Sequence, residues 1–176
     1  MERIESILNI KCNQKHCTLE YLIKKSDGAQ DMSRAGLLKR MAIAAEPVEN
    51  WMPTYTRLSD LKLEKEAPAF TNWQAKYDKE TAIILDKVKN NMQKSLKEGG
   101  VITRVVQTQF MVQLLMINYL EHLKKAKLSI NANKIVDKEI SIPEMSAIFT
   151  EMILTDKECE SLKDIRKILV AWRNAK

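Results

Sequence analysis

The chain has 176 residues, 45% hydrophobic and 30% charged, a length of about one domain and the balance of a soluble globular protein rather than a disordered one. Four glycines and four prolines are too few for a turn-rich sheet protein or a loop-built active site, and point to long helices. Lysine and arginine number 29 against 23 acids, a formal charge of +6, which favours phosphate-bearing or other acidic partners and is silent on fold.

Three cysteines, an odd number, do not make a disulfide framework and suit a reducing compartment, so the expected location is the cytoplasm or the nucleus. The opening MERIESILNI sets Glu2, Arg3 and Glu5 among its apolar residues, unlike a signal peptide. The longest uncharged run, Val105 to Leu120, has 16 residues against the roughly 20 that a spanning helix needs. No membrane association is expected.

In chain order, Ile4, Ile7 and Leu8 predict a short first helix. A second is predicted after Thr18, with Leu19, Leu22 and Ile23 at helical spacing, Lys24 and Lys25 in its last turn, and Ser26 to Gly28 breaking it. The third runs from Asp31 to Glu46 on a stripe of Leu38, Met41, Ala42 and Ala45, and Pro47 ends it. Residues 48–70, rich in large apolar side chains between Pro53 and Pro68, form an ordered connection with a helical turn near 59–64.

Thr71 is then read as the cap of a long helix over 71–98, with Trp73, Tyr77, Ile84, Val88, Met92 and Leu96 on one face. Gly99 and Gly100 stop it. A second long helix over 101–127 follows, apolar nearly all round and therefore central, antiparallel to its predecessor. Residues 128–142 are β-branched and read as a small hairpin or an extended loop. Ser141 with Glu144, and Thr155 with Glu158, are capping boxes that start helices over 142–154 and 156–174. The fold class expected is thus all-α: a bundle of six or seven helices, grouped as 1–47, 48–70 and 71–176.

CNQKHC, Cys12 to Cys17, places two thiols and an imidazole within six positions. A structural zinc takes four ligands as two spaced pairs, and no second pair follows. The favoured reading is the run-in to a helix, with Cys17 packing as a small apolar residue and Thr18 as the cap. No phosphate loop, nucleophile elbow, dinucleotide turn or zinc-protease helix occurs in the chain. Neither an enzyme nor a cofactor is expected.

The cations cluster. Lys24, Lys25, Lys39 and Arg40, with Arg34, lie near the amino end, Lys124, Lys125 and Lys127 close the central helix, and Lys163, Arg166, Lys167 and Arg173 share a sector of the last one. Each cluster alone suits a solvated helix end. Together they make a candidate phosphate-tracking surface, RNA before DNA, without the aromatic motif or zinc-finger spacing of base readers. The alternative is a helical adaptor or homo-oligomer that joins proteins, with Trp51 as the candidate partner contact.

Overall fold

The computed structural model describes residues 6–27 and 32–136, with side chains through residue 126. Its elements are β1 (Ser6–Lys11), α1 (Gln14–Asp27), α2 (Arg34–Ala45), α3 (Met52–Ser59), β2 (Asn72–Tyr77), α4 (Lys79–Glu98) and α5 (Thr108–Val136). The chain divides into two compact units, residues 1–123 and 124–176. All of the packing described below belongs to the first.

Five helices and a two-stranded antiparallel sheet correct the all-helical expectation for the described residues. The stretch read as a first helix is β1, where Leu8 and Ile10 are buried and Ile7, Asn9 and Lys11 are exposed. Its partner β2 comes from the start of the supposed long helix, with Trp73 and Ala75 inward and Asn72, Gln74 and Lys76 outward. The register pairs Ile7 with Lys76, Asn9 with Gln74 and Lys11 with Asn72. Period-two alternation is what a half-buried strand requires, and each six-residue segment also contains apolar spacings that a helix tolerates.

Asp78, rather than Thr71, caps α4: its carboxylate accepts from the Thr81 amide at 2.8 Å. That amide, with Lys39 beside the carboxylate, holds the Asp78 pKa down at about 2. Of the predicted stripe, Val88, Met92 and Leu96 are buried in α4 and Ile84 is half-buried, with Leu85 buried beside it. The helix ends in a Schellman turn. Gly100 sits at φ 72°, its N–H donates to Lys97 O at 3.0 Å, and Val101 N–H reaches back to Leu96 O at 2.9 Å.

Residues 101–107 are not helical, and α5 starts at Thr108 and continues to Val136. That helix replaces the hairpin expected over 128–142 as far as residue 136. Residues 137–142 and the helices expected over 142–154 and 156–174 lie outside the described residues. Residues 111–117 are buried consecutively, as their lack of a polar face implies. Among the described residues, Trp51, Trp73, Leu19, Ile23, Leu37, Leu38, Met41, Met92, Leu96 and Leu114 to Met116 are large side chains almost wholly removed from water.

Candidate functional site

The CNQKHC stretch is the entrance of α1. Asn13, not Thr18, is the cap: its Oδ1 accepts from the amides of Lys15 at 3.0 Å and His16 at 3.4 Å. In return the Asn13 amide donates to His16 Nδ1 at 3.1 Å. This is a capping box with an imidazole in the place of the usual glutamate. The other ring nitrogen, Nε2, donates to Gln109 O at 3.0 Å. Because Nδ1 accepts and Nε2 faces a carbonyl, the ring is the neutral Nε2–H tautomer. Gln113 Nε2 donates to Asn13 Oδ1 at 3.1 Å and lies 3.3 Å from Nδ1, so α5 closes over the same group.

The thiols have separate partners. Cys17 Sγ donates to Phe70 O and accepts from Phe70 N, each at 3.4 Å. Thr18, fully buried, accepts from the Glu64 amide at 3.1 Å. Both tie the 60–71 connection onto α1. Cys12 is pushed up to about 11 by burial, with Cys17 adding to the shift, and so remains a thiol. Among the described residues, no three His, Cys, Asp or Glu side chains converge as a metal would require.

Burial lowers the His16 pKa below its ordinary value, outweighing the bond to Gln109 O that raises it. The unfolded chain then binds a proton that the folded chain refuses. The contribution is complete above the unfolded value near 6.5 and is lost as pH falls from there through the lower folded value. The thermal midpoint is expected to drop between about pH 7 and pH 5, and less steeply in His16→Gln. Equal slopes in calorimetry would contradict the neutral assignment.

A second polar node joins α1, α2 and β2. Glu20, 5% exposed, accepts from Arg34 Nε at 3.2 Å and Nη2 at 3.4 Å and from the indole N–H of Trp73 at 3.2 Å. The guanidinium lies 4.6 Å from the centre of the Phe70 ring and donates to Asn72 O at 3.2 Å. All these partners are internal. The node holds the fold and offers no reactive edge.

The predicted cations divide. Lys24 lies 3.9 Å from Glu20, and Lys39 lies 3.4 Å from Asp78 and 3.9 Å from Glu80. Lys25 sits over the Tyr21 ring at 5.9 Å. Arg40, Lys124 and Lys125 are exposed. The side chain of Lys127 and all of Lys163, Arg166, Lys167 and Arg173 lie outside the described residues. Trp51 is completely buried, and its amide donates to Ser95 Oγ at 3.0 Å. A core indole presents no face to a partner, which corrects that expectation.

The sheet supplies a surface that sequence reasoning missed. Its outward side chains, Ile7, Asn9 and Lys11 on β1 and Asn72, Gln74 and Lys76 on β2, include no acid. Lys11 and Lys76 occupy opposite corners, roughly 13 Å apart along the strands at about 3.3 Å per residue. Beside β1 lies a groove of about 580 Å³ lined by Asn9, Ile10, Lys11 and residues 105–109, again without a carboxylate. The alternation of SILNIK and NWQAKY was the available signal.

Compared with family models, curated proteins and solved structures, the chain matches none. Amide and ammonium donors of the kind these two strands present can hold phosphate oxygens without reading bases.

Proposed function

We propose that this protein associates with nucleic acid without catalysing a reaction, binding the phosphate backbone of RNA in preference to DNA as an accessory to transcription, replication or RNA handling. The observation that carries the reading is the outward face of the sheet, where Lys11 and Lys76 flank the amides of Asn9, Asn72 and Gln74. Exposed Arg40, Lys124 and Lys125 and the net charge of +6 support it. Phosphate contacts made by such groups release counterions, so affinity should fall steeply with salt.

The test is fluorescence anisotropy with labelled single- and double-stranded RNA and DNA over a salt series. Binding at low salt is expected, with Lys11→Glu and Lys76→Glu each lowering the salt slope by about one. Charge reversal at Lys124, Lys125, Lys163 and Lys167 tests the helix clusters in the same assay. Absence of binding to every probe at low salt ends the proposal.

A further inference from the structure

Ion pairs fix how α2 and α4 lie against each other. Lys39 on α2 is 3.4 Å from Asp78 and 3.9 Å from Glu80 at the start of α4, and Glu46, closing α2, is 3.4 Å from Lys87. Lys39 to Glu46 and Glu80 to Lys87 are seven positions each. The helices therefore run side by side in the same direction, two turns of one matching two turns of the other. Ile43 stands four residues after Lys39, and Ile83 three after Glu80. Rises of about 6 Å and about 4.5 Å put the two isoleucines at one level, midway between the ion pairs.

Ile43 is 52% exposed and Ile83 64%. Isoleucines scattered singly on a surface need no explanation, but these two form one apolar patch inside a frame of charges. The frame alternates in sign. At the amino-terminal end the cation is on α2 and the acids on α4; at the carboxyl-terminal end the acid is on α2 and the cation on α4. With two cations against three carboxylates, the frame holds none of the chain's positive excess.

We infer that this face receives a second copy of the chain, in a weak dimer about a twofold axis running across the two helices. Charge complementarity selects the occupant. Half a turn about that axis lays α2 on α2 and α4 on α4, antiparallel, so that Lys39 of each copy faces Glu46 of the other and Glu80 faces Lys87. Ile43 and Ile83 of both copies close the centre. The antiparallel order also sets the positive end of each helix beside a negative one. Four isoleucines make a smaller centre than a standard interface of about 1,600 Å² contains, and the dissociation constant is expected on the order of 10–100 µM. At roughly 1 µM the chain is then a monomer, and unfolding measured there reports the monomer alone. This inference does not rest on nucleic-acid binding.

The test is sedimentation equilibrium of the full chain, free of nucleic acid, from roughly 1 to 500 µM, where the mass should rise from one chain toward two. Ile43→Lys and Ile83→Lys each bring a charge into the centre and should weaken association about tenfold or more. Both replace exposed side chains, so the fold should persist, as checked by circular dichroism. Leu63→Lys is the control. It changes an equally exposed residue on the 60–71 connection and should leave the association constant as it was. The double swap Glu46→Lys with Lys87→Glu keeps an ion pair inside each chain but sets like charges opposite Lys39 and Glu80 of the other copy. It should abolish the dimer.

A single-chain mass over the whole range overturns the inference, whether or not RNA is bound. So does a dimer that Ile43→Lys and Ile83→Lys leave intact, or one that Leu63→Lys weakens as much. A dimer that survives the double swap overturns the antiparallel seating, and the inference with it.

Discussion

Glu20→Ala is expected to destabilise the folded chain by about 3 kcal/mol, read as a shift of the urea midpoint at unchanged slope. Glu20 accepts three hydrogen bonds, two from a guanidinium and one from a buried indole. Its removal leaves the Trp73 N–H without an acceptor inside the core, at a cost of about 1–3 kcal/mol, and deletes two charge-assisted bonds. The Arg34 side chain is 33% exposed and can turn toward water. That keeps the loss near the lower end of the roughly 3–5 kcal/mol seen when one partner of a buried pair is deleted. Glu20→Gln retains an oxygen for the indole and should cost less than alanine. A double-mutant cycle with Arg34→Ala should return a coupling within about 0.5–3 kcal/mol. Additive losses would mean that the two side chains act independently.

The second large effect belongs to α5. Leu114→Ala removes a completely buried side chain from a stretch in which residues 111–117 are all buried. Neighbours on every side limit the collapse of the resulting cavity, so a loss of about 3–5 kcal/mol is expected from the transfer and cavity contributions together. Ile83→Ala is the control. Ile83 is 64% exposed on α4, and its truncation should change stability by no more than about 0.5 kcal/mol. Equal losses at the two positions, in matched urea titrations, would show that the interior of α5 is not packed as described.

Among the helices, what could be read early was what repeats along a single element. Leu38, Met41, Ala42 and Ala45 were legible as one face and are all buried in α2. Val88, Met92 and Leu96 follow the same logic in α4, and Gly100 carries the positive φ that its place after the helix suggested. Of the site, little was legible. Lys11 and Lys76, 65 positions apart in the chain, gained significance only when β1 and β2 paired. Trp51 looked like a surface anchor because it stands between Glu49 and Pro53, yet it is completely buried with its amide on Ser95. His16 resembled a ligand and is instead a cap, because Gln109 and Gln113 arrive from far along the chain to fix its ring.

By itself, then, the order of amino acids determined the apolar stripes of α2 and α4, the buried run 111–117 of α5 and the stop at Gly99 and Gly100. These are local, since a helix satisfies its own backbone within four residues and its face is written in the spacing. Tertiary structure alone decided that Ser6–Lys11 and Asn72–Tyr77 are strands, and with them which side chains share the outward face of the sheet. A strand has no hydrogen bonds of its own. Its identity depends on a partner that six residues of local pattern cannot name.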